Sequence, residues 1–179
     1  MDSIKFGTSG WRGIIARDFT FANVALVAQA IADYFKSELK RKKSEIKGRR
    51  PIVVLGHDAR FMGPEFATTV GEVLSKNGLI PLLCERDAPT PVIAHAIRVR
   101  KAIGGINMTA SHNPAEYQGL KFSTHRGAPA PQDVTGKIEK NIEKLQNRGW
   151  AWKVSDPGAF KCKTIDPRDS YFKQVRSII

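Results

Sequence analysis

The residues best suited to chemistry lie in a short loop from Thr109 to Pro114, which reads Thr-Ala-Ser-His-Asn-Pro. Ser111 offers a hydroxyl nucleophile, and His112 beside it offers an imidazole whose ordinary pKa is about 6.5. The Asn-Pro pair that follows restricts the backbone and marks a turn. A serine held in such a turn can be exposed with its backbone fixed, so Ser111 is the central candidate.

Two enzyme classes that use a reactive serine or a bound phosphate do not fit this loop. Many serine hydrolases have a Gly-x-Ser-x-Gly elbow, which is absent around Ser111, and adjacent Ser and His side chains are not expected to form a nucleophile–base hydrogen bond. The chain also lacks the Gly-x-x-x-x-Gly-Lys-Ser/Thr loop of nucleotide kinases. The loop therefore favours another kind of group transfer.

The elements that must position this loop alternate along the chain. Strands are predicted where short apolar runs end in turn residues, at 4–6, 51–56, 79–84, 102–107 and 118–123. Helices are predicted where apolar residues recur every three or four positions, at 21–40, 64–76, 90–100 and 134–146. This alternation predicts an α/β fold, a three-layer α/β/α sandwich with a mostly parallel, mixed sheet. Ligands of such sheets bind beyond the carboxyl ends of the strands, where the Ser111 loop is expected.

Several segments resemble the α-D-phosphohexomutases, the family of phosphoglucomutases, phosphomannomutases and phosphoglucosamine mutases. Residues 109–114 are similar to the family's phosphoserine loop, 6–13 (Phe-Gly-Thr-Ser-Gly-Trp-Arg-Gly) to its N-terminal loop, and 116–121 (Glu-Tyr-Gln-Gly-Leu-Lys) to the segment after the phosphoserine. A weaker match is found at 56–60, and Gln118 stands where family members commonly have Asn. The resemblance covers nearly the whole chain but only the first of the family's four domains.

The resemblance implies a phosphohexomutase that interconverts hexose 1-phosphate and 6-phosphate, with glucose or mannose as the sugar. Ser111 would be phosphorylated and would pass its phosphoryl group to the substrate's free hydroxyl, giving a bisphosphorylated sugar that returns its other phosphate. His112 and Lys121 occupy positions that the family uses for charge stabilisation and proton transfer. Which of the two moves the proton stays open. Arg12 matches an active-site arginine of the N-terminal loop.

The resemblance also implies the residues and small molecules that bind at the site. Thr8, Ser9, Asn113 and Arg60 are expected to bind substrate phosphate, although Arg60 is as well suited to a structural role in its own loop. Mg²⁺ would be bound by the phosphate on Ser111 together with aspartates of the family's second domain. A hexose 1,6-bisphosphate is the expected activator.

The chain is expected to divide at residue 149. Residues 1–149 would form the phosphoserine domain, and 150–179 a linker and the start of a helix leading into a second domain that this chain lacks. We expect the chain to be the first domain of a longer four-domain enzyme, inactive alone. Trp150, Trp152 and the final helix would then expose apolar surface, which promotes self-association.

The net charge of +12 indicates an attraction for anions but does not choose among them. Much of the excess lies between Lys36 and Arg50, with no interleaved aromatic residue that could stack on bases. We therefore expect a phosphosugar as partner and no nucleic acid, and keep an anion- or nucleic-acid-binding α/β module as the alternative function.

The remaining composition predicts a cytoplasmic protein without membrane partners. No apolar run approaches the ~18 residues of a membrane span, and the N-terminus lacks a signal-peptide pattern. The two cysteines, Cys84 and Cys162, have no metal or disulfide spacing, which fits a reducing compartment.

Overall fold

A mixed six-stranded sheet lies between two layers of helices in the computed structural model, which describes residues 4–7, 10–151 and 160–179. The strands are β1 (Gly10–Ile14), β2 (Ile52–His57), β3 (Ile80–Cys84), β4 (Gly104–Met108), β5 (Tyr117–Thr124) and β6 (Lys163–Ile165). The helices are α1 (Phe21–Lys40), α2 (Gly63–Lys76), α3 (Thr90–Val99), α4 (Gln132–Asn147) and α5 (Arg168–Arg176). The predicted three-layer α/β/α fold with a mixed sheet is confirmed.

The order of the strands places the Ser111 loop at one end of the sheet. The order is β1-β5-β4-β2-β3-β6, in which β4, β2, β3 and β6 are parallel while β5 and β1 are antiparallel to their neighbours. We call the end formed by the loops 58–62 and 109–116, which follow β2 and β4, the carboxyl end. The opposite end, where β2 and β4 begin and β5 finishes, is the amino end.

Strand β2 shows why the central strands are continuous apolar runs. Val53 and Leu55 belong to the core beneath α1, α2 and α4, whereas Val54 faces a second core that contains Ile93 and Ile97 of α3. A strand covered on both faces needs apolar residues at successive positions, because its side chains alternate between the two cores.

The two ends of the chain differ from the predictions. Residues 4–7 form no strand, although Ile4 and Phe6 are buried in the core and the Phe6 N–H donates to Glu139 Oε1 at 2.7 Å. Strand β1 begins instead at Gly10, inside the segment predicted as a loop, and pairs with β5. Strand β6 was not predicted, because three residues are too few to show a periodic pattern.

Beyond residue 149, where we expected the domain to end, the described residues still pack on the same sheet. Strand β6 pairs with β3, and α5 lies on α3, where His95 Nε2 is 3.0 Å from Ser170 Oγ. Helix α5 ends at Arg176 rather than at the last residue. Trp150 packs, partly buried, against the domain's own core, and Trp152 lies outside the described residues.

None of the helices in the described ranges combines the length and the apolar character needed to cross a lipid bilayer.

Candidate active site

Ser111 lies exposed at the carboxyl end of the sheet in a strained backbone conformation. Its φ of 59° is in the left-handed region, which costs a residue with a Cβ roughly 1 kcal/mol or more. Such strain persists only where the surroundings enforce it, and it clusters at functional sites. The Ser111 N–H donates to Thr109 Oγ1 at 3.0 Å, so the hydroxyl of the preceding threonine helps to hold the turn.

The side chain of Arg60 holds this loop through four hydrogen bonds to backbone carbonyl oxygens. Its Nη1 donates to Pro114 at 2.8 Å and to Tyr117 at 3.0 Å. Its Nη2 donates to Ser111 at 2.9 Å and also to Asn113. A guanidinium holds its donors in a rigid planar fork, so these four carbonyl groups are fixed relative to one another.

Asp58 in turn fixes Arg60. The Asp58 Oδ2 atom is 3.6 Å from Arg60 Nε, and Oδ1 accepts a hydrogen bond from the Arg60 backbone N–H at 3.0 Å. The guanidinium therefore directs all its nitrogens into its own domain. Arg60 was expected among the phosphate-binding residues; in this structure its Nη donors are directed to the carbonyl groups of the loop and its Nε faces Asp58, which suits the alternative, structural role.

Arg12 and Lys121 lie on one face of the sheet beside the start of the loop. Arg12 on β1 is opposite Gly119 on β5, and Lys121 is two residues further along β5 on the same face. A Cβ on Gly119 would overlap the carbonyl oxygen of Thr109 and lie 3.1 Å from Arg12 Cγ. The Arg12 side chain and the first residue of the loop therefore both pack against Gly119, which brings a cation to the loop.

His112 lies beside the hydroxyl of Ser111. The distance between Ser111 Oγ and His112 Nδ1 is 3.4 Å, and both residues are exposed. We expected these adjacent side chains not to form a nucleophile–base hydrogen bond, and the left-handed turn brings them only to this distance. The contact is longer than the roughly 2.6–3.2 Å of a working nucleophile–base pair.

The other three residues that were predicted to bind phosphate are Thr8, Ser9 and Asn113. Thr8 and Ser9 lie outside the described residues. The N–H of Asn113 donates to Ala110 O at 3.2 Å, and its carbonyl group is one of those bound by Arg60. Asn113 thus shapes the turn through its backbone.

Gln118 is a positioning residue that sequence reasoning missed. Its side chain is fully buried, its Nε2 donates to Phe61 O at 3.1 Å and its Oε1 accepts from Gly119 N at 3.0 Å. It therefore ties the loop after β2 to β5. The sequence did contain a clue to this role, because Gln118 lies in the segment that resembles the phosphohexomutases and stands where family members commonly have Asn.

Two further histidines have ordinary hydrogen-bond or ion-pair partners, and Cys84 is a buried thiol. His57 Nδ1 is 3.0 Å from the Asp58 carbonyl oxygen, and His125 Nε2 is 3.2 Å from Glu45 Oε2. Burial raises the pKa of the Cys84 thiol to about 12, so it is neutral at physiological pH. Among the described residues, no three His, Cys, Asp or Glu side chains are grouped to hold a metal ion.

Comparison with known proteins identifies the family of this chain. Residues 3–149 match the family model of the phosphoglucomutase/phosphomannomutase α/β/α domain I. The chain therefore belongs to the phosphoglucomutase/phosphomannomutase family.

Comparison with individual relatives shows what fraction of a family member's length this chain covers. A phosphoglucomutase of Staphylococcus epidermidis is 28% identical over 99% of this chain and 32% of its own length. The chloroplastic phosphoglucomutase 1 of Marchantia polymorpha is 32% identical over 99% of this chain and 28% of its own. A solved Thermus thermophilus structure, described as that of a phosphomannomutase, has a TM-score of 0.84 and 34% identity over 99% of this chain and 36% of its own. The chain thus spans about a third of the length of these relatives.

Proposed function

We propose that this chain is the phosphoserine domain of a phosphohexomutase and that Ser111 carries the phosphoryl group. The observation that carries the proposal is the exposed, left-handed Ser111, whose loop is held by the Thr109 hydroxyl and the Arg60 guanidinium. A hydroxyl that must meet a bulky phosphosugar and a phosphoryl group needs both exposure and a fixed position.

In the proposed reaction, the phosphoryl group moves between Ser111 Oγ and a sugar oxygen. The bond from phosphorus to Oγ breaks as a bond forms to the free hydroxyl of a hexose monophosphate, and that hydroxyl loses its proton. The bisphosphorylated sugar then returns its other phosphoryl group to Oγ, which completes the exchange of 1-phosphate and 6-phosphate. Such a transfer needs mainly positioning and neutralisation of charge.

Arg12, Lys121 and His112 are the proposed helpers of this transfer. Arginine can bind phosphate oxygens bidentately, and lysine acts as a point charge, so Arg12 and Lys121 suit the charge on the transferring group. The proton of the sugar hydroxyl would pass to His112 or Lys121. The 3.4 Å contact with Ser111 Oγ favours His112.

Mg²⁺ and the sugar activator are the cofactors that family membership suggests. A phosphate on Ser111 would supply one ligand, and the described residues contain no group of three metal-binding side chains. Bound there, the ion would neutralise phosphate charge, and its other ligands would have to come from outside these residues. Glucose 1,6-bisphosphate would serve as the source of the phosphoryl group.

We also propose that the rest of a longer enzyme covers apolar surface at the end of this chain. Phe172 is 52% exposed, and Ile178 and Ile179 are 75% and 101% exposed. Light scattering over a range of concentrations should show self-association of the isolated chain, weakened by Phe172→Ser. A monomer at every concentration would contradict this. A cytoplasmic location remains our expectation.

Mass spectrometry after incubation with glucose 1,6-bisphosphate tests the proposed function. We expect one added phosphoryl group, located on Ser111 by fragmentation and absent from Ser111→Ala. Thr109→Val is a useful comparison, because it keeps Ser111 but removes the hydroxyl that holds its N–H. Phosphate on another residue, or equal labelling of Ser111→Ala, would contradict the proposal.

A further inference from the structure

Most of the net positive charge of the chain lies at the amino end of the sheet, opposite Ser111. Three segments meet there, at 41–50 before β2, 98–101 before β4 and 124–128 after β5. The pairing of Gly104 with Thr124 and the hydrogen bond from Ile103 N to Ile52 O align them. Together these segments contain ten arginines and lysines but one glutamate, a net charge of +9 out of +12 for the chain.

A cleft at this end brings some of these cations together. The cleft has a volume of about 690 Å³ and is lined by Arg49, Arg98, Lys101, His125 and Arg126. All five side chains are basic. A neighbouring cavity of about 590 Å³ differs, since carboxylates are among its lining groups.

The cations of the cleft exceed the acids that neutralise them. Glu45 binds Arg126 at 2.6 Å and His125 at 3.2 Å. Within the described residues, Arg49, Arg98 and Lys101 have no acidic side chain in ion-pair contact. Four permanent positive charges thus face a single carboxylate.

The backbone around the cleft is held in place. Gly127 has a φ of 75°, and a Cβ there would lie 2.6 Å from Ala94 O, so the turn after β5 packs closely against α3. Lys101 follows α3 with a φ of 51°, a position that glycine usually occupies. A lysine there costs roughly 1 kcal/mol or more, so the fold alone does not favour a cation at this place.

The titration of His125 agrees with a strongly positive environment. Burial lowers the pKa of His125, and the positive charges of Arg49 and Arg126 lower it further, against the opposing effect of Glu45. An anion bound in the cleft would relieve the repulsion among these cations, and its charge would favour protonated His125.

We propose that this cleft is a second anion-binding site, for a compact oligophosphate or a small molecule that carries several phosphate groups. Arginine and lysine donors suit phosphate oxygens, and several negative charges are needed to match the unpaired cations. Among the described residues, no Phe, Tyr or Trp lines the cleft, so the His125 imidazole is the one ring there on which a base could stack. A small polyanion therefore fits better than a nucleic acid.

Calorimetric titration with inorganic tripolyphosphate in 150 mM salt tests the site. We expect saturable binding that the double variant Arg98→Gln with Lys101→Asn weakens at least about tenfold. Asn is chosen at position 101 because it tolerates the left-handed conformation. The matched control, Lys140→Gln with Lys144→Gln on exposed positions of α4, removes the same charge elsewhere and should bind within about twofold of the wild type.

Further variants and probes keep the test decisive. Arg49→Gln gives an independent variant if the double variant unfolds, and it should also weaken binding. Ser111→Ala should bind normally, which separates this site from the proposed catalytic loop. Equal weakening by both double variants, no saturable binding, loss of binding in Ser111→Ala, or tighter binding of single-stranded RNA than of tripolyphosphate would each overturn the proposal.

Discussion

The two ends of the sheet both contain arginine, but they use it in opposite ways. At the carboxyl end, Arg60 is partly buried and directs its donors to four carbonyl oxygens and toward Asp58. At the amino end, Arg49 and Arg98 line an open cleft without an acidic partner among the described residues. Arginine therefore stabilises a loop at the carboxyl end, whereas at the amino end its positive charge remains available to bind an anion.

This difference shows why net charge was a poor guide to the proposed catalytic site. The candidate nucleophile lies in a strained turn that hydrogen bonds maintain, whereas most of the net positive charge lies at the far end of the sheet. Phosphoryl transfer depends on a few groups held in fixed positions, and a cluster of unpaired cations does not by itself provide such positioning.

The largest expected effect comes from filling the space at Gly119. In Gly119→Ala the new Cβ overlaps the Thr109 carbonyl oxygen and presses on Arg12 Cγ, so the loop and β1 must move. We expect the free energy of unfolding to fall by about 2–3 kcal/mol, as in other overpacked sites. Urea denaturation of the variant measures this loss.

Gly136→Ala in α4 is the control for that substitution. Nothing lies within 4 Å of a Cβ at Gly136, and alanine is the better helix former. This variant should gain up to about 1 kcal/mol. Equal or opposite changes in the two glycine variants would contradict the packing described at the loop.

A smaller effect is expected for Arg60→Lys. Lysine keeps the charge but cannot span four carbonyl groups, so several hydrogen bonds to the loop are lost. We expect about 1–2 kcal/mol of destabilisation and faster amide hydrogen exchange in residues 111–117. Arg168→Lys, which weakens the exposed pair with Asp166, should leave that exchange unchanged. Unaltered exchange in Arg60→Lys would show that the guanidinium does not hold the loop.

The smallest effect concerns His125 at the amino end. Its pKa in the folded chain is lowered, so the neutral imidazole is favoured, and its stabilising contribution is present above the unfolded pKa of about 6.5. That contribution should be lost as the pH falls from about 6.5 through the folded pKa. The fall in stability over this pH range should be smaller in His125→Gln. NMR titration should also show that tripolyphosphate raises this pKa. A pKa at or above the ordinary value in the free chain would contradict the charge balance described for the cleft.

The sequence was sufficient for the layers and for most of the elements. Apolar periodicity located α1 and the central strands because burial on one or two faces leaves a direct pattern, as at Val53 and Val54. Strand β1 was missed because its place in the sheet depends on pairing with β5, far away in the chain. Strand β6 was missed because three residues carry no pattern.

The candidate site could be predicted only as a set of residue types. The resemblance pointed to Ser111, Arg12 and Lys121, and the sheet places the last two on adjacent strands. The support from Arg60 and Gln118 could not be read from the sequence, because both act on backbone groups that only the folded chain brings near them.

The most direct test of the central claim is a ³¹P NMR titration of this chain with phosphoserine introduced at position 111 during translation. Phosphoserine ordinarily loses its second proton with a pKa of about 6. Nearby cations favour the dianion, so we expect a lower pKa that rises toward the ordinary value in Lys121→Gln and in Arg12→Gln. An ordinary pKa, unchanged by either substitution, would contradict the claim that position 111 is a phosphate site surrounded by positive charge.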